Sequence, residues 1–206
     1  MSRTEKEKPV IGILALQGDY DAHRKMLEEQ VGVSTTAVRT PQQLEQVDGL
    51  ILPGGESTTI SKLMHRNGLD EAIRARAHAG MPIYGTCAGL ILLAKEIEDR
   101  PDQPTLGLMD VTVARNAFGR QVDSFEADIP LALDGTRAEP VRGVFIRAPY
   151  VTRVGEGVQR LGSFEDKIVG VREGALLGTA FHPELTEDTR LHTYFTRMVA
   201  ESREER

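Results

Sequence analysis

The chain has 206 residues, 40% hydrophobic and 27% charged, enough for one domain with a full hydrophobic core. A net charge of −6 and a pI near 5.5 argue against nucleic acid or an anionic membrane as the main partner, since both need a concentrated basic face. No apolar run approaches the roughly 18 residues that span a bilayer, the charged residues 1–8 do not read as a signal peptide, and a lone cysteine suits a reducing cytoplasm.

Residues 10–16 form a short apolar run between Pro9 and Gln17-Gly18 and predict a strand buried on both faces. Residues 19–30 predict a helix, 33–38 a strand, 41–47 a short helix, and 49–53 another buried strand. The turn Gly54-Gly55-Glu56-Ser57 leads into helices over 58–65 and 69–79, a strand over 81–84 and a helix from 88 to 95. This alternation predicts a parallel sheet with helices on both faces, in which ligands bind beyond the carboxyl ends of the strands. Gln17, Gly54-Gly55 and Cys87 all fall at such ends, so their turns should converge on one edge.

Beyond Glu98 the texture changes. Residues 99–104 make a polar loop, and 111–114, 125–129, 141–146, 158–161 and 168–171 predict strands, mostly in meander connections. Residues 175–181 return to the buried-strand type, and 189–201 form an amphipathic helix with Leu191, Phe195, Met198 and Val199 facing inward. The expected architecture is a single α/β domain over 9–200, a mostly parallel sheet flanked by helices with a small antiparallel excursion in the second half. Residues 1–8 and 201–206 read as charged, loose ends.

Cys87 sits in Gly85-Thr86-Cys87-Ala88-Gly89, where a strand runs into a helix. A helix N-terminus favours thiolate, the nucleophilic form. The flanking glycines match a nucleophile elbow, where strained backbone and close helix–strand packing need small residues. The Ala88 N–H, just after the nucleophile, is placed to donate to an oxyanion. A structural thiol in a tight turn is the plainer explanation of five such residues, so the neighbours decide. Far downstream, Phe181-His182-Pro183-Glu184 supplies a base and a carboxylate to orient it. Pro183 forces His182 into extended geometry, which places Glu184 on the same side two residues on. His23, His65, His78 and His192 lie in charge-rich helical stretches that look like solvated faces. The paired glycines Gly54-Gly55 offer further N–H donors for the oxyanion hole and a peptide able to flip. No metal-ligand spacing or phosphate-binding glycine pattern is present, and no cofactor is expected.

These residues resemble the class I (triad) glutamine amidotransferase family, whose fold is flavodoxin-like. Several further stretches narrow the resemblance to the glutaminase subunits of two-subunit pyridoxal 5′-phosphate synthases. They are Leu16-Gln17-Gly18 and residues 52–59, 114–126, 143–149 and 181–188. The likeness covers roughly residues 10–199. It implies hydrolysis of L-glutamine by Cys87, His182 and Glu184 through a γ-glutamyl thioester. Ammonia would pass to a synthase subunit in a large hetero-oligomer, which builds vitamin B6 from a pentose phosphate and a triose phosphate. The family pattern further implies glutamine binding by Gly55, Glu56, Ser57, Arg115, Ile146 and Arg147, with Gln17 at the partner interface and activation of the glutaminase on docking. An arginine suits the α-carboxylate of glutamine and Glu56 its ammonium. Two alternatives remain at this point: the glutaminase of another amidotransferase, such as that of histidine biosynthesis, and a redox or chaperone protein of similar fold.

Overall fold

The computed structural model describes residues 8–115, 124–133 and 138–204. The sequence motif over 114–126 therefore lies largely outside the described residues, as do most of the charged N-terminal segment and the last two residues.

The first half alternates as its apolar runs require. Strand β1 (Val10–Leu14) leads to helix α1 (Tyr20–Lys25), which Asp19 caps and which widens into a π-helical turn over Met26–Val31. Then come β2 (Ser34–Val38), α2 (Pro41–Leu44), β3 (Gly49–Leu52), α3 (Ser57–Arg66), α4 (Leu69–His78), β4 (Ile83–Thr86) and α5 (Ala88–Leu93). Every residue of β3, β4 and α5 is buried, so these segments are apolar without periodicity.

The second half adds β5 (Ala94–Ile97), β6 (Met109–Ala114), β7 (Ser124–Leu131), β8 (Glu139–Ile146), β9 (Tyr150–Val154), β10 (Gln159–Phe164), β11 (Lys167–Glu173), β12 (Leu176–Thr179) and α6 (Arg190–Glu204). Strands β2-β1-β3-β4-β12 form the parallel core, and β11, β10, β7 and β8 continue the sheet antiparallel. Strands β5, β6 and β9 branch from β11. Leu52 pairs with Gly85 and Thr86 with Thr179, so β3, β4 and β12 end level and their outgoing turns emerge side by side. The predicted convergence on one edge is met.

Three local departures have physical causes. The helix read as 88–95 stops at Leu93, because Leu106 N–H and Leu108 N–H take the carbonyls of Leu92 and Leu93, and Ala94 turns extended into β5. Strand β9 carried no clear strand signal, since Val151 is its one buried residue. Helix α6 runs to Glu204, into the stretch read as a loose end, and the Ser202 hydroxyl donates to Gly80 O at 2.9 Å. Among the described residues no helix is long and apolar enough to cross a membrane.

Helix α6 lies against β3 because Gly49 carries no side chain. A Cβ there would meet Val199 Cγ2 at 2.4 Å. Gly49→Ala should destabilise the fold by about 1–3 kcal/mol, lowering Tm by roughly 2–10 °C in a scan. Val199→Ala in the same background should recover part of that loss; additive losses would contradict the close contact.

Candidate active site

The Cys87 backbone has φ 50° and ψ −102°, a left-side conformation that costs a non-glycine residue about 1–3 kcal/mol. The sheet holds it there: Cys87 N–H donates to Thr179 O on β12 at 2.8 Å. Both elbow glycines are sterically required. A Cβ on Gly85 would meet Gly89 C at 2.4 Å, and one on Gly89 would meet Leu52 O at 2.0 Å. Sγ is thus presented where α5 begins, 3.9 Å from Ile146 O across the opening.

His182 leaves β12 with its N–H donating to Val144 O on β8 at 2.8 Å. Pro183 then starts a single 3-10 turn, Pro183–Leu185, rather than an extended segment. Proline suits the first position of such a turn, since its missing N–H would have no partner there. The curl brings Glu184 back on its own neighbour, and His182 Nδ1 lies 2.7 Å from Glu184 Oε1. The contact expected from the sequence exists, but a turn makes it and not strand alternation.

Electrostatics follow from this burial. Desolvation opposes a charge on His182, yet hydrogen bonds to Cys87 and Glu184 and their negative charge outweigh it and raise its pKa to about 10. Glu184 has a fully buried side chain. Burial would push it up, but the two imidazoles that face it, His23 first and then His182, hold it well below the usual carboxylate range. His182 and Glu184 are therefore paired as imidazolium and carboxylate.

A cavity of about 120 Å³ opens above Sγ, lined by Gly55, Glu56, Ser57, Cys87, Ala88, Ile91, Arg115, Ile146 and Arg147. The residues expected to hold glutamine are thus gathered around Cys87, and the cavity carries both signs of charge. Arg115 Nη1 donates to Gln103 Oε1 at 2.7 Å, and its Nη2 lies 3.8 Å from Glu56 Oε1. Glu56 is also the N-cap of α3. Burial would raise its pKa, but the hydroxyls and N–H groups of Thr58 and Thr59 lower it to about 2.

Gly54 and Gly55 do different jobs. A Cβ on Gly54 would lie 2.2 Å from His182 Cε1, so that glycine backs the imidazole. Gly55, at φ 156°, lines the cavity. Gln17 fastens the pair, since its Oε1 accepts from Glu56 N–H at 2.8 Å.

Some participants had no sequence signal. Gln103, in the polar loop, bridges Arg115 and Ser57, its Nε2 donating to Ser57 Oγ at 3.0 Å. Ile91 follows Cys87 by one helical turn, a spacing that could have flagged it. Two histidines correct the sequence expectation outright. His23 and His192 were expected on solvated faces and are both wholly buried, against each other and the triad carboxylate, whereas His65 and His78 are exposed as expected.

The pattern of the SNO glutamine amidotransferase family matches residues 13–201. A pyridoxal 5′-phosphate synthase subunit PdxT from Herpetosiphon aurantiacus is 57% identical over 90% of this chain and 97% of its own length. One from Brevibacillus brevis is 56% identical over 94% of this chain and 98% of its own. A crystal structure of a glutamine amidotransferase superposes with a TM-score of 0.86 at 48% identity, covering 92% of this chain and 98% of that one. With an elbow cysteine, a buried His–Glu pair and a match over nearly its whole length, this chain belongs to the SNO glutamine amidotransferase family.

Proposed function

We propose that the chain hydrolyses L-glutamine to L-glutamate and ammonia as the glutaminase subunit of a pyridoxal 5′-phosphate synthase, with Cys87, His182 and Glu184 as its triad. The family and the high identity to synthase subunits favour this over the histidine-biosynthesis and redox alternatives. The observation that carries the triad is the buried 2.7 Å His182–Glu184 contact, whose imidazole also bonds to Cys87, the thiol in a cavity rimmed by Arg115, Arg147 and Glu56.

Cys87 Sγ attacks the side-chain carbonyl carbon of glutamine, and the carbonyl oxygen becomes an oxyanion. N–H groups of Ala88 and of the Gly54-Gly55 turn receive that charge. His182 then gives its proton to the departing nitrogen, the C–N bond breaks, and ammonia leaves a γ-glutamyl thioester on sulfur. Neutral His182 next takes a proton from water as its oxygen attacks the thioester, the C–S bond breaks, and glutamate leaves the Cys87 sulfur free beside protonated His182. Glu184 keeps His182 oriented throughout and balances its charge. Arg115 and Arg147 hold the substrate α-carboxylate, Glu56 faces the ammonium, and Ser57, Gly55 and Ile146 complete the walls.

Ammonia is useful to the synthase only if it avoids protonation in water, so turnover belongs to the docked state. The Gly54-Gly55 turn, fastened by Gln17, is the element that docking adjusts. Assembly into a large hetero-oligomer and a cytoplasmic setting belong to the same proposal.

In an ammonia assay with the synthase subunit present, Cys87→Ala should lose essentially all glutamine-dependent release, while the wild type should turn over faster with that subunit than without it. Equal wild-type rates in the two conditions would contradict activation on docking. Arg115→Ala and Arg147→Ala should each raise KM for glutamine roughly tenfold or more with kcat little changed, as loss of a charged hydrogen bond made before the chemistry requires. Unaltered KM in both variants would refute their carboxylate-binding role.

A further inference from the structure

Behind the triad lies a second buried row of polar side chains that the hydrolysis described above does not use. His23, on α1, is 0% exposed. Its Nε2 lies 3.2 Å from Thr86 Oγ1 and 3.4 Å from Glu184 Oε1, the same oxygen that meets His182. Its Nδ1 lies 2.8 Å from Nε2 of His192, on α6 and also 0% exposed. Among the described residues, Glu184 Oε2 and His192 Nδ1 are buried with no hydrogen-bond partner. No three or more His, Cys, Asp or Glu side chains among them are placed to hold a metal ion.

The proton positions follow from these contacts. Burial pushes the His192 pKa down to about 3, so His192 is neutral and carries one ring proton. If that proton is on Nε2, it is donated to His23 Nδ1, and His23 bears its own proton on Nε2. Two donors then point at Glu184 Oε1, one from each imidazole, and the one orphan on the histidines is an acceptor. With Nε2 bare and the proton on Nδ1, His23 would instead turn a lone pair on a carboxylate oxygen. His192 would also be left with a buried, unpaired N–H, the costlier orphan.

We propose that His23 is a positioning residue for the Cys87–His182–Glu184 triad, donating from Nε2 to the Glu184 carboxylate while His192 fixes its tautomer from behind. The inference rests on the glutaminase chemistry proposed above and names the group that keeps its carboxylate in place. Glu184 Oε2 has no partner among the described residues, so without His23 the carboxylate is held by His182 alone. His182 would then lose the fixed partner that aims its proton at the leaving nitrogen. Thr86, the residue before Cys87, shares the His23 proton and ties the same imidazole to the nucleophile's own strand.

The test compares wild type, His23→Leu, His23→Gln and Cys87→Ala, each as the full chain with the synthase subunit, by glutamine-dependent ammonia release. His23→Leu should lower kcat on the order of ten- to a hundredfold with KM for glutamine within about twofold, the cost of a misplaced general acid. His23→Gln, which sets an amide nitrogen near the lost Nε2, should recover most of that loss. Wild-type kcat in His23→Leu, or equal impairment in the two variants, would overturn the proposal. Ammonia release by Cys87→Ala would instead overturn the glutaminase chemistry itself. Should His23→Leu not fold, nitrogen NMR of ¹⁵N-histidine-labelled wild type decides the point. A proton on His23 Nε2 supports the proposal, and a bare Nε2 overturns it.

Discussion

One carboxylate has to stay ionised in the interior, and much of the site is arranged around that requirement. Removing Glu184 from water costs several kcal/mol unless nearby positive charge and hydrogen bonds compensate. Its compensation comes from elements far apart in the chain: His182 at the end of β12 and His23 on α1, the latter braced by His192 on α6 and Thr86 on β4. The parallel core brings these elements together, because β4 and β12 end level and α1 leaves β1, which β3 alone separates from β4. The proposed triad is therefore a property of the sheet edge as a whole and not of two local motifs.

The same edge explains where strain and glycine are tolerated. Cys87 is held at positive φ by a backbone bond to Thr179, while Gly85 and Gly89 let α5 approach within backbone contact of β3 and β4. Gly54 gives the imidazole its resting place. The antiparallel extension supplies the opposite wall. Strand β8 receives His182 N–H through Val144 O and then turns at Ile146 and Arg147, the latter at φ 43°, over the nucleophile. A parallel sheet alone would leave the cavity open on that side.

What could be read from the sequence was what is local or buried on every side. Strands β1, β3, β4 and β12 are continuous apolar runs because both faces are covered, and the elbow is five adjacent residues. His182 and Glu184 are near neighbours, so their pairing was legible even though the 3-10 turn that makes it was not. The misses share one cause, which is that distant contacts overrode local character. His23 sits among Asp21, Arg24 and Lys25, and His192 follows Arg190; only the packing of α1 and α6 buries them. Ala94-Lys95-Glu96 has good helix formers, yet strand pairing with β6 claims it. Gln103 reaches the site from a polar loop whose sequence carries no pattern.

The central claim is that Cys87 is the nucleophile that attacks glutamine bound in the cavity above it. Treating the synthase-bound chain with a glutamine analogue bearing an electrophile in place of the side-chain amide, then mapping adducts by peptide mass spectrometry, tests it most directly. The account predicts a single adduct, on Cys87, suppressed by L-glutamine. Labelling of other residues without Cys87, or labelling of Cys87 that L-glutamine does not slow, would contradict it.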